Sequence, residues 1–248
     1  MTGTQPIRAG AGLAYGLLGL PLAFVALPLY VLLPNHYARE FGMPLATLGA
    51  VLLAARLFDA ISDPLLGRLS DHLFGRSVRA VLGVGALSAG VLALGLISLF
   101  FPAVRGPDAL VAWALIALLI TYTAYSQLSI AHQSWGARLG GDEALRSRIV
   151  AWREGAALVG VVLASLLPSL LGLPAMLGVF AATLVLGWWA WACAPRPAAQ
   201  GADMHGVYHP AQHASLWRPW GRPAFRRLLV VFMLNGIASA IPATLVLF

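Results

Sequence analysis

The chain has 248 residues, 60% of them hydrophobic and only 10% charged, with a net charge of +7. A soluble globular domain carries about 25% charged residues, so this composition excludes an ordinary soluble fold and specifies an integral membrane protein. All 16 basic residues are Arg and are dispersed along the chain, which argues against a nucleic-acid partner, and the single Cys193 excludes an internal disulfide framework.

About 20 consecutive apolar residues cross a bilayer as a helix. Seven such runs are expected: 11–33, with Pro21 and Pro28 inside it, then 45–67, 79–101, 109–133, 149–171, 174–194 and 228–248. The first run is as long as a span and many more follow, so it does not read as a cleaved signal peptide. The stretches "GVGALSAG" and "ALGL" in the third run suit close helix packing. Trp188, Trp189 and Trp191 fall at the end of the sixth, where an interfacial aromatic belt is expected.

Arg in the connections sets orientation. Twelve Arg fall on one side, including Arg8, Arg68, Arg76, Arg79, Arg138, Arg146, Arg148 and Arg196, against Arg39 and Arg105 on the other. The N-terminus is therefore expected in the cytoplasm of a bacterial-type inner membrane. The expected organisation is all-α: a six-helix N-terminal bundle (1–194), a polar cytoplasmic linker (195–227) and the first helix of an incomplete C-terminal bundle (228–248). Six helices, a long linker and a further helix are the layout of a two-bundle transporter whose halves each hold two inverted three-helix repeats. The run ends at "PATLVLF", which reads as a twelve-helix protein cut short.

The second run carries "RLFDAISDPLLG", Arg56 to Gly67. Ionised side chains in hydrocarbon are costly and mark function by default. Asp59 and Asp63 stand one helical turn apart on one face, with Arg56 on the same face and Ser62 beside it. One Arg cannot neutralise two carboxylates, so the remaining charge must take a proton or hold a cation. Carboxylate, hydroxyl and carbonyl oxygens suit a hard cation, and Pro64 can free a carbonyl nearby. The competing reading is a packing pair near the cytoplasmic end that snorkels to water. The next stretch, "GRLSDHLFGRSVR", is expected as a short cytoplasmic turn. Gly67 and Gly75 would permit a tight reversal there. Asp71 would pair with Arg76 or with a helix N-terminus.

This spacing resembles the loop between helices two and three of the major facilitator superfamily. "ARLFDAISDPLLGRLSD" is closer still to the glycoside–pentoside–hexuronide:cation symporters, the melibiose permease group. Further support comes from "YGLLGLPLAF" in the first run, "TYT" in the fourth and Arg153 in the fifth. The resemblance implies that the helix-two acids bind a coupling cation, sodium or a proton, aided by a helix-four Thr. The matching positions are Asp59, Asp63 and Thr123, with Ser62 where the family often has Asn. Arg153 matches a helix-five Arg that contacts substrate. The chain departs from sugar-transporting members in lacking an acid in helix one and another shortly after "TYT", and the family also contains carriers of other solutes.

The remaining polar residues of the fourth run, Tyr122, Ser126, Gln127 and His132 among them, read either as a solute lining or as interhelical hydrogen-bonding groups. Arg153 and Glu154 are adjacent and would point in different directions. Arg153 could then attract an anionic group on the solute or snorkel to the interface. His205, His209 and His213 repeat every four residues, but Gly206 and Pro210 interrupt any helix, so no metal site is expected. No catalytic triad, phosphate loop or zinc motif is present, and neither enzyme activity nor a cofactor is expected. The expected function is cation-coupled symport of a small organic solute, with the lipid bilayer and a second helical bundle as partners. The alternatives are an ion-independent facilitator or exporter, and an inactive fragment.

Overall fold

The computed structural model describes residues 9–197 together with 223, 226, 227, 230 and 231. It divides into two compact units, Met1–Gln200 and Gly201–Phe248. The described residues of the second unit are helical. The expected linker beyond residue 197, its three His and the seventh span lie otherwise outside the described residues.

In the first unit the described residues form helices: α1 (Ala9–Gly16), α2 (Gly19–Phe24), a π-helical turn (Pro28–Leu32), α3 (Leu33–Glu40), α4 (Leu45–Arg76), α5 (Val78–Phe100), α6 (Pro107–Arg138) and α7 (Glu143–Ala192). Ala9–Glu40, α4, α5, α6 and α7 are each long and apolar enough to cross a bilayer. α7 is two spans, because Gly172 sits at φ 80, ψ 171 in its middle. That conformation is open essentially to glycine alone. Six spans therefore stand where the first six apolar runs were expected.

Prolines explain the broken first span. Pro21 has no N–H for the Leu17 carbonyl, and the Leu20 N–H takes it at 3.2 Å. Pro28 and Pro34 likewise remove the donors due to the Phe24 and Tyr30 carbonyls. Between them the Leu33 N–H reaches back five residues to the Pro28 carbonyl, which makes the π turn.

Two expectations are corrected. The Gly67–Arg79 stretch is not a loop: α4 runs on to Arg76, and Gly67 and Gly75 lie inside it, outside the set of positive-φ glycines. The break is made by Ser77, which is extended (φ −173, ψ 150), and its Oγ accepts from the Ala80 N–H at 3.1 Å to cap α5. Trp191 is not part of an interfacial belt. It is fully buried, 5.2 Å from the Trp135 ring and 5.7 Å from His132. Trp189 is exposed.

Packing runs chiefly between the first three spans and the last three. α1 and α2 lie on α7, while α4 and α5 lie on α6. The close-packing expectation for the third span holds: a Cβ on Gly85 would stand 2.7 Å from the Trp191 ring. Gly83, on the same helix, faces open space. Gly85→Ala is expected to destabilise by about 1–3 kcal/mol through overpacking. Gly83→Ala should be neutral or slightly stabilising, since Ala is the better helix former by up to about 1 kcal/mol. Thermal unfolding in detergent, followed by circular dichroism, compares the two; equal midpoints would contradict this packing.

Candidate functional site

Asp59 belongs to the stripe Leu48, Val51, Ala55, Asp59 that α4 buries against the bundle. Asp59 stands near the middle of its helix. In a 32-residue helix it lies roughly 21 Å from the Leu45 end and roughly 26 Å from the Arg76 end, at 1.5 Å rise per residue. The exposed residues Leu53, Leu57, Phe58, Ile61, Leu65 and Leu69 continue an apolar surface on both sides of it.

Each oxygen of Asp59 has a partner. The Ser126 hydroxyl of α6 donates to Oδ1 at 2.9 Å. The Arg56 guanidinium stands 3.6 Å from Oδ2. Ser62 turns back on its own helix and donates to the Asp59 carbonyl at 3.1 Å. Asp63 follows one turn later, and its Oδ1 is buried with no hydrogen-bond partner among the described residues. Pro64 has no N–H, so the Ala60 carbonyl between the two acids loses its helical donor.

Thr123, expected beside the acids, donates instead to the Leu119 carbonyl of its own helix at 2.7 Å. The hydroxyl that reaches Asp59 is Ser126's, one turn on. Tyr122 lies close by: the Arg56 guanidinium carbon is 4.3 Å from the Tyr30 ring centre and 5.2 Å from that of Tyr122. The two rings stack at 6.4 Å. Tyr30 was not foreseen; it arrives through the π turn, and only its neighbouring prolines hinted at irregular backbone. Gln127 is buried with neither its amide oxygen nor its nitrogen partnered among the described residues, and the Tyr122 hydroxyl is in the same position.

The other expected residues fall elsewhere. His132 is fully buried in a clasp with α1. Its Nε2 donates to the Tyr15 carbonyl at 2.8 Å, the Tyr15 hydroxyl donates to its carbonyl at 3.2 Å, and the rings stack at 4.4 Å. Arg153 and Glu154 do not point apart as expected. Arg153 Nη2 and Nε donate to Glu154 Oε1 at 2.6 and 3.0 Å, because long side chains on adjacent residues can curl together. Asp71 pairs not with Arg76 but with Arg138, at the last turn of α6, at 2.7 Å. Arg138 in turn lies 4.4 Å from the Phe74 ring centre. No cluster of metal-ligating side chains is present among the described residues.

A six-span helical unit that buries one hydrogen-bonded carboxylate, with a second acid one turn on, defines a polytopic membrane protein. The family described as "MFS/sugar transport protein" matches residues 9–248, and the chain belongs to that family. Among curated proteins it is similar to the Escherichia coli (strain K12) "Inner membrane symporter YicJ", 31% identical over 53% of this chain and 28% of that protein. It is also similar to the "Putative glycoside/cation symporter YagG" of the same organism, 25% identical over 71% of this chain and 39% of that one. The chain thus spans well under half the length of these relatives. No solved structure gives a significant match.

The two hydroxyls of α6 should differ in their effect on stability. Ser126→Ala strips a hydrogen bond from a buried carboxylate and is expected to cost about 1.5–3 kcal/mol. Thr123→Val removes only a bond back into its own helix and should stay within about 1 kcal/mol. Denaturation of the two variants side by side measures this; an equal loss would show that the Ser126–Asp59 bond carries no weight.

Proposed function

We propose that the chain forms the cation-binding half of a secondary transporter that couples entry of sodium or a proton to movement of a small polar organic solute. The observation that carries this reading is the unpartnered, buried Asp63 oxygen one turn from Asp59. Arg56 and Ser126 already serve Asp59, so the second carboxylate is left with charge and lone pairs to offer. A cation held by Asp59 and Asp63, with Ser62, Thr123 or the Ala60 carbonyl completing an oxygen shell, or a proton shared by the acids, would neutralise that charge.

The solute side is carried by Gln127 and Tyr122, whose buried polar atoms await partners. A neutral amide offers both a donor and an acceptor to a hydroxylated, sugar-like molecule, in keeping with the printed names of the family and of YagG. Arg153 would join this surface once freed from Glu154, while His132 supports it from behind as a packing group. Cation occupancy would favour the solute-binding state, and rocking against the second half of the full-length transporter would expose the site alternately to each side. The Arg-rich end, marked by Arg76, Arg79, Arg138 and Arg146, would face the cytoplasm of the inner membrane.

A second reading, an ion-independent facilitator, draws on the same Arg56–Asp59–Ser126 contacts as purely structural bonds. A hydrophobic carbodiimide, which couples to protonated carboxyl groups, discriminates between them when applied to the chain in lipid nanodiscs with peptide mass readout. Labelling of Asp59 or Asp63 is expected to fall as sodium replaces choline, for a sodium site, or to rise as pH falls, for a proton site. In the full-length transporter, Asp59→Asn and Asp63→Asn should each reduce gradient-driven uptake at least tenfold. Labelling indifferent to both sodium and pH, with undiminished uptake, would favour the facilitator.

A further inference from the structure

We infer that Tyr30 and Tyr122 are positioning residues that hold Arg56 back from Asp59, so that the acid pair keeps a negative charge for its cation. This inference rests on the cation-site reading above and deepens it.

Arg56 and Asp59 are three residues apart on one helix, in reach of a tight charge-assisted hydrogen bond of about 2.7–2.9 Å. The structure shows 3.6 Å instead, to one oxygen only. The Asp71–Arg138 and Arg153–Glu154 pairs in the same bundle close to 2.7 and 2.6 Å. What occupies the Arg56 guanidinium is an aromatic pair. Its carbon lies over the Tyr30 ring at 4.3 Å and near Tyr122 at 5.2 Å, well inside the range of a cation–π contact. The rings come from two other spans, the π turn and α6, and stack on each other at 6.4 Å. The seat is therefore built by tertiary packing and not by Arg56's own helix. The Asp59 oxygen turned towards Arg56 is the one that Ser126 does not serve.

An Arg locked onto Asp59 would act as a tethered cation and compete with the mobile one. An Arg drawn onto aromatic faces keeps the cluster from carrying two bare carboxylates, yet its contact with Asp59 Oδ2 stays at 3.6 Å, looser than a tight charge-assisted bond. The same arrangement ties the first span to the site, because moving Arg56 on or off Asp59 must load or unload Tyr30.

The test uses carbodiimide labelling of Asp59 and Asp63 in nanodiscs, reading the concentration of cation (sodium, or hydrogen ion where only pH acts) that gives half its effect. Tyr30→Leu removes the nearer ring. It is expected to raise the half-effect concentration about fivefold, the equivalent of about 1 kcal/mol. Tyr30→Phe keeps the ring and should stay within about twofold of the native chain. Arg56→Gln should lower the half-effect concentration. In the Arg56→Gln background Tyr30→Leu should have no further effect, because the ring acts only through the guanidinium. A Tyr30→Leu shift that persists without Arg56, or a Tyr30→Phe shift as large as Tyr30→Leu, overturns the inference while the cation site stands. Should Tyr30→Leu not fold, a rise in half-effect concentration for Arg56→Gln alone overturns it as well. If native labelling ignores both sodium and pH, it is the cation-site reading itself that fails.

Discussion

A carboxylate buried in an apolar bundle has to find its counter-groups on neighbouring side chains. Asp59 meets this constraint by spanning two helices. Its own helix supplies Arg56, and α6 supplies the Ser126 hydroxyl at 2.9 Å. That bond lies on the same face of α4 that buries Leu48, Val51 and Ala55 against the bundle. With α4 so oriented, Asp63 follows one turn later with an oxygen left over. Asp59 is thus hydrogen-bonded across helices while an oxygen of Asp63 has no partner among the described residues.

The helices bracket this site because the backbone is interrupted at chosen places. Pro21, Pro28 and Pro34 break the first span into short segments and a π turn, and the register change delivers Tyr30 to Arg56. Gly172 divides α7 into two spans that embrace α1 and α2. The first three spans pack mainly across onto the last three, and one buried cluster runs through both. Below the site, the Tyr15–His132 clasp joins α1 to α6 through two reciprocal bonds. It puts a fully buried imidazole into packing.

Much of the fold was legible in the chain. The six apolar runs correspond to six spans, since the demand that every backbone group in hydrocarbon be bonded within its segment leaves helices as the only choice for such runs. The motif "RLFDAISDPLLG" singled out Asp59, Asp63 and Arg56, because charges in an apolar run are costly and residues three and four apart share a helix face, while Ser62 bonds back to the Asp59 carbonyl. Where α4 ends was misread. Two glycines and four charged residues look like a turn, yet a helix can carry them when they project beyond the apolar band. The correction lengthens α4 by more than two turns beyond Gly67 and carries Asp71 to the Arg138 end of α6.

Composition and periodicity by themselves determined a membrane protein, the number of spans in its first unit and the helix that bears the acids. Those properties follow from hydropathy and helical spacing, which are local. Only the tertiary structure decided that Ser126 and not Thr123 reaches Asp59, that Tyr30 and Tyr122 receive Arg56, that Arg138 holds Asp71, and that His132 is closed in by Tyr15 and Trp191. Each depends on how one helix is rotated and staggered against another. That choice is made by side-chain packing across the bundle, and no spacing along a single segment encodes it.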